Sequence, residues 1–124
     1  MPDFTIEFYE KPNGKRPAED FTSRLDKKMK ARAIQYLELL SERGNDLREP
    51  FSKFLTDGIF ELRIKQGSDI SRVIYFFYVD KRIVMTNGFI KKTQRTPRSE
   101  IKKAKKYRDD YITRMENNKD EQIL

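Results

Sequence analysis

Between Phe60 and Ile90 only two short breaks interrupt a run of strand-forming residues, and this stretch restricts the fold more than any other. Phe60, Leu62 and Ile64 alternate with Glu61, Arg63 and Lys65, the period of a strand with one face toward a core. Gln66-Gly67-Ser68-Asp69 forms a turn, and Ile70 to Val79 follows as a nearly continuous apolar and aromatic run. Such a run suits a central strand covered on both faces. Asp80-Lys81 is a second turn, and Arg82 to Ile90 is the last strand, with Gly88 near its end. Turns this short join neighbouring antiparallel strands, so the three strands form a meander.

The flanking segments add helices and one more strand. Phe4, Ile6 and Phe8 alternate with Thr5, Glu7 and Tyr9, and Pro12-Asn13-Gly14 ends that strand. From Pro17 to Arg43, Ala18, Phe21, Leu25, Met29, Ala33, Tyr36, Leu37 and Leu40 recur at helical spacing. Pro17 suits a first turn and Gly44 a stop. Asp26 is a candidate cap, which leaves two readings open: one rod, or a short helix followed by a longer one. Asn45 to Gly58 reads as an ordered connection punctuated by Pro50 and Asp57-Gly58, with Leu47, Phe51, Phe54 and Leu55 pinning it to the core. A last helix opens at Thr96-Pro97, Thr96 as cap, with Ile101, Ala104, Tyr107 or Arg108, Tyr111 and Met115 as its packing stripe. Late tyrosines at those positions read as packing residues. The order β-α-α-β-β-β-α defines an α+β domain over residues 1–116, and the polar residues 117–124 read as a frayed tail.

Composition narrows the chemistry. The chain has 124 residues, enough for one domain. It has no Cys and no His. Thiolate and imidazole catalysis, disulfides, and Cys or His metal ligands are therefore ruled out, and no metal or cofactor is expected. No apolar run reaches the length of a signal peptide or a membrane span, so a cytoplasmic protein is the expectation.

Charge supplies the functional hint. Lys and Arg number 27 against 20 Asp and Glu, a formal net charge of +7. The excess is concentrated in residues 91–108, where Lys91, Lys92, Arg95, Arg98, Lys102, Lys103, Lys105, Lys106 and Arg108 face one acid, Glu100. A solvated helix face usually mixes signs at i,i+4 spacing, which this one does not, so a phosphate backbone is the favoured partner. On the sheet, Arg63 and Lys65 share a strand face, and a turn at residues 66–69 sets Arg63 opposite Arg72. Like charges across a ladder need compensation. Two readings remain open: Glu61 supplies it through a diagonal contact, or an anion such as a scissile phosphate sits between the arginines.

The strings Asp57-Gly58-Ile59-Phe60-Glu61-Leu62-Arg63, Arg72-Val73-Ile74-Tyr75-Phe76-Phe77 and Gly88-Phe89-Ile90-Lys91-Lys92-Thr93-Gln94-Arg95-Thr96-Pro97 together resemble the phage-derived branch of the RelE/ParE/HigB toxin superfamily. The resemblance implies a RelE-like twisted antiparallel sheet flanked by helices. It also implies a type II toxin: a metal-independent, ribosome-dependent endoribonuclease that cuts mRNA and is neutralised by a cognate antitoxin, usually of helix-turn-helix type. Carried over by position, Arg63, Arg72, Lys91 and Lys92 are the catalytic candidates. The arginines would hold phosphate, and the lysines would act as base or as stabilisers of the transition state. Lys65, Thr93, Gln94, Arg95, Arg98, Lys102, Lys103 and Lys106 are the RNA-binding candidates. The same fold admits two other functions: gyrase inhibition of the ParE kind, and nucleic-acid binding without catalysis.

Overall fold

The computed structural model describes residues 3–90 and 95–123, with side chains to residue 118. Five strands form one sheet in the order β1-β5-β4-β3-β2: β1 (Thr5–Phe8), β2 (Ser52–Thr56), β3 (Ile59–Gln66), β4 (Asp69–Tyr78) and β5 (Arg82–Ile90). Helices α1 (Pro17–Ser23) and α2 (Lys27–Arg43) cover one face, and α3 (Arg98–Ile123) lies on the other. A single turn of 3-10 helix, Gly44–Asp46, follows α2.

The meander has the expected register. Lys65 pairs with Ile70, Arg63 with Arg72, and Ile59 with Phe76. Strand β4 is the central strand, and its run from Val73 to Phe76 is buried on both sides. Val73 and Tyr75 join the core beneath α2 with Leu40, Leu62, Ile64, Ile83 and Met85. Ile74 and Phe76 face α3, Ile74 against Ala104 and Phe76 against Tyr111. The long first helix is in fact two, because Asp26 accepts a hydrogen bond from the Met29 amide at 2.8 Å and starts α2 afresh.

Four expectations need correction. The connection before Gly58 contains strand β2, which pairs with β3 and makes the sheet five-stranded. Asp57 and Gly58 both have positive φ, 49° and 74°, so they form the tight turn of a β2–β3 hairpin. Phe54 does not pin this segment to the core. It sits at the sheet edge, 56% exposed, with its ring edge-on to Phe60. The sheet is not wholly antiparallel, since β1 lies parallel to β5 at the other edge. Thr96 is not the residue that adjoins α3, which begins at Arg98, and its hydroxyl donates instead to the buried carboxylate of Glu61. Helix α3 itself runs to Ile123, past Met115, the last residue of its packing stripe.

Gly88 shows why one motif glycine is needed. A Cβ at this position would lie 2.2 Å from Cδ2 of Phe21, so the Phe21 ring of α1 occupies the space a side chain would take. A Gly88→Ala substitution should therefore push α1 off β5 and cost about 1–3 kcal/mol, as overpacking does. Chemical denaturation should show that loss, and the added cost of Gly88→Ala should largely vanish when it is made in a Phe21→Ala background.

Tyrosines fasten α3 and the β2 edge. The Tyr107 ring stacks on Tyr9 at 4.8 Å, the Tyr9 hydroxyl donates to Asp110 at 2.6 Å, and the Tyr111 hydroxyl donates to Glu7 at 2.5 Å. Tyr75 shares a buried hydrogen bond with Ser52 of β2. Burial raises the Tyr75 hydroxyl from 10.0 to about 12, and burial together with the bond to Glu7 raises Tyr111 to about 12. A group whose pKa is raised on folding stabilises fully below its unfolded pKa and loses that contribution as pH rises toward its folded pKa. Stability should be insensitive to these groups below pH 10 and fall between pH 10 and 12, as denaturation midpoints taken across that range will show. A Tyr75→Phe/Tyr111→Phe variant should flatten the fall.

Candidate nucleic-acid interface

The site is built on the α3 side of β3 and β4. Alternation puts Ile59, Glu61, Arg63 and Lys65 of β3 on that side, with Ile70, Arg72 and Ile74 of β4 beside them. Helix α3 packs over the Ile59 and Ile74 part of this face through Ala104. Arg63 and Lys65 lie further along the strand, the first half-buried and the second exposed. No hydrogen bond or ion pair engages either side chain among the described residues.

Behind them lies a buried polar network. Arg72 is 1% exposed and Glu61 0%. Nη1 of Arg72 donates to Oε2 of Glu61 at 2.5 Å, and Thr96 donates to Oε1 of the same carboxylate at 2.8 Å. Burial pulls the Arg72 guanidinium below the ordinary arginine value. Glu61 opposes that shift, and the neighbouring charge of Arg63 adds to it. The compensation that the Arg63–Arg72 pair needs comes from Glu61, a carboxylate of the chain itself, and not from an anion between them. Arg72 is thus not placed as an open phosphate ligand. Its charge is neutralised inside the protein, and its Nε is buried without a hydrogen-bond partner among the described residues.

The network has a consequence for the chain after β5. Ile90 pairs with Ser71 at the end of β5, and Thr96 is tied to Glu61 in β3. Asn87 adds a second tie by donating to the Glu100 carboxylate at 3.0 Å and to its backbone carbonyl at 3.2 Å. Both ends of the segment that carries Lys91, Lys92, Thr93 and Gln94 are therefore anchored beside Arg63 and Arg72. Those four residues, two catalytic and two RNA-binding candidates, lie outside the described residues.

The remaining basic candidates divide into two groups. Arg95, Arg98, Lys102, Lys103 and Lys106 are exposed. Arg98, Lys102 and Lys105 line a shallow depression of about 310 Å³ with Ile101, while Lys103 is paired to Glu100 at 3.4 Å. Arg108 belongs to the fold instead. It bonds the Asp57 carboxylate at 2.9 Å and the Asp57 carbonyl, clamping the β2–β3 turn to α3. The Arg108 guanidinium, by its hydrogen bond and its charge, holds the Asp57 carboxyl below its usual range.

Glu61, Thr96, Asn87 and Glu100 were absent from the candidate residues. The signal for Glu61 was present: two arginines facing each other on a ladder imply a buried counter-charge, and Glu61 is the acid on the same face. Thr96 carried no comparable signal, since a Thr-Pro pair before a helix reads as a cap.

Among the described residues no helix is long and apolar enough to cross a membrane. The family described as "Phage derived protein Gp49-like (DUF891)" matches residues 20–109 of the chain, which run from α1 into α3. No curated protein matches the sequence.

Proposed function

The chain belongs to the Gp49-like family of phage-derived proteins, RelE-like toxins of toxin–antitoxin systems, and from that premise we propose that it is a ribosome-dependent endoribonuclease cutting mRNA without metal or cofactor. The observation that carries this reading is the pair Arg63 and Lys65, two cations on one face of β3 with no hydrogen-bond or ion-pair partner among the described residues. Arg95, ahead of α3, and Arg98, Lys102, Lys103 and Lys106 on it add further exposed cations. Thr93 and Gln94 contribute contacts to phosphate or base.

The chemistry follows from charge. The 2′-oxygen of the nucleotide before the cleaved bond attacks phosphorus. The bond to the 5′-oxygen breaks, leaving a cyclic phosphate and a 5′-oxyanion that takes a proton from water to become a 5′-hydroxyl. Negative charge builds on the non-bridging oxygens, and Arg63 meets them with a planar donor fork. Lys91 or Lys92 takes the 2′-proton, and the other stabilises the transition state. Arg72 contributes through Glu61, whose carboxylate also ties Thr96 to the sheet. A cognate antitoxin, of helix-turn-helix type, neutralises the toxin by covering the basic face, and the mRNA is presented by the ribosome in the cytoplasm.

Brief induction of the chain in bacteria, followed by mapping of mRNA 5′ ends, tests this function. New ends within translated frames should appear within minutes of induction and be absent when the antitoxin is co-expressed. Growth arrest with a DNA damage response and no new ends would assign a gyrase inhibitor in its place.

A further inference from the structure

Lys53 lies on β2, the strand that the residue pattern hides, and it faces the site. Its register partner in β3 is Glu61, so its side chain leaves the sheet on the α3 side. It is there a diagonal neighbour of Arg63, with backbone positions about 7–8 Å apart. Lys53 is exposed. Glu61 is not its counter-ion, because Arg72 and Thr96 already donate to the two oxygens of that carboxylate. No hydrogen bond or ion pair engages Lys53 among the described residues.

Helix α3 supplies the facing wall. Leu55 of β2 packs into the cluster of Ile59, Ile74 and Ala104, so this flank of the helix borders β2. Arg108 bonds Asp57 at the β2–β3 turn. Lys105, one helical turn earlier on the same flank, adds its charge to the lowering of the Asp57 carboxyl that Arg108 dominates. Arg98, Ile101, Lys102 and Lys105 recur at three- and four-residue spacing and line one shallow depression of about 310 Å³. The other flank of α3 turns to β5, where the Glu100 carboxylate accepts from Asn87 and pairs with Lys103. Among the described residues, Arg98, Lys102 and Lys105 on the first flank have no such ion pair.

We propose that RNA leaves the cleavage site along this seam between β2 and α3, its phosphates passing from Arg63 and Lys65 over Lys53 to Lys105, Lys102 and Arg98. Lys53 and Lys105 are then backbone-binding residues. The proposal rests on the ribonuclease reading of that face and fixes the flank of α3 on which the strand runs. A single strand presents one negative charge per nucleotide, and a groove of one sign of charge is what tracks such a backbone. An acidic protein segment would match the same charge, but the seam is continuous with Arg63, and that continuity favours RNA. Lysines meet phosphates as point charges and touch no base edge. The seam therefore adds affinity without sequence preference.

The lack of cysteine makes a direct test available. Lys53→Cys in the full chain creates a unique thiol for a photoactivatable aryl azide. The probe is single-stranded 2′-O-methyl RNA of about ten nucleotides, which cannot be cleaved and falls within the usual site size of such surfaces. Illumination should give a covalent adduct that unlabelled RNA competes away. The same label at Lys30→Cys, exposed on α2 across the sheet, should give none. For affinity, Lys53→Gln and Lys105→Gln remove the charge and keep most of the stem. Each should flatten the dependence of log K on log salt by about 0.7, the contribution of one single-strand phosphate, while Lys30→Gln leaves it unchanged. No adduct from position 53 with RNA binding intact would overturn the proposal, as would equal flattening by Lys30→Gln, which would mean that net charge alone attracts RNA. A Lys53→Gln variant that keeps the salt slope but binds purified antitoxin more weakly makes the seam a protein contact. One that keeps the slope but self-associates makes Lys53 a guard of the sheet edge. Either result also defeats the proposal. If Arg63→Ala and Lys65→Ala flatten the slope while Lys53→Gln and Lys105→Gln do not, the seam alone fails. If none of the four alters RNA binding, the ribonuclease reading fails with it.

Discussion

Arg63→Ala should leave a folded protein that cleaves RNA about 10²–10³-fold more slowly, the loss seen when one preorganised donor to a developing oxyanion is removed. Arg63 is half-buried and has no hydrogen-bond or ion-pair partner among the described residues, so its removal leaves none of them as an unpaired charge. The loss should be in the chemical step. Affinity for uncleavable RNA should fall only modestly, because Lys65 and the α3 cations remain. Lys103→Ala provides the contrast. Lys103 is exposed and already paired to Glu100, so its loss should leave the cleavage rate near wild type. Single-turnover cleavage of ribosome-bound mRNA separates the two variants. Equal effects at Arg63 and Lys103 would mean that the face only binds nucleic acid.

Glu61→Ala should have the opposite profile, destabilising the fold before it alters any chemistry. Removing this carboxylate leaves Arg72 as a buried charge with no counter-ion, which costs about 3–5 kcal/mol. It also frees the Thr96 hydroxyl, so the start of α3 loses its tie to β3. Urea denaturation should show the loss, and partial unfolding at 37 °C would be no surprise for a chain of this size. Replacing both charges, Glu61→Leu with Arg72→Met, should restore most of the stability, since apolar side chains of similar volume can substitute for a buried ion pair. If that double variant is stable and still cleaves RNA, Arg72 has no part in the chemistry. If it is stable and inactive, the pair positions the residues that do.

Much of the fold could be read from the residues because the strands carry their own punctuation. The alternation in Phe60–Lys65, the run from Ile70 and the turns at residues 66–69 and 80–81 set the Arg63–Arg72 pairing before any coordinates. Strand β2 was missed for a physical reason. Its five residues hold Lys53 and an exposed Phe54, too short and too mixed for a period to stand out. Asp57-Gly58 was the better clue, since two positive-φ residues between strands are a hairpin turn rather than simple punctuation. The candidate site was harder to read. A sequence shows which cations lie on one face of a strand, but not which of them the fold neutralises. Arg63 and Arg72 look alike on paper, and only packing shows that one faces outward and the other is sealed against Glu61. Arg108 is a similar case, counted with the basic helix but spent on Asp57.

The Glu61–Arg72–Thr96 network draws one member from each of the three strings that mark the family resemblance. None of the three can be exchanged alone without orphaning another. The three residues therefore serve one piece of architecture, and their presence in a relative would testify to shared fold rather than shared toxicity. A descendant could lose Arg63 and become harmless while keeping the rest of the signature intact. Sorting active from silent members of the lineage should therefore turn on the outward-facing cations, not on the letters that make the lineage recognisable.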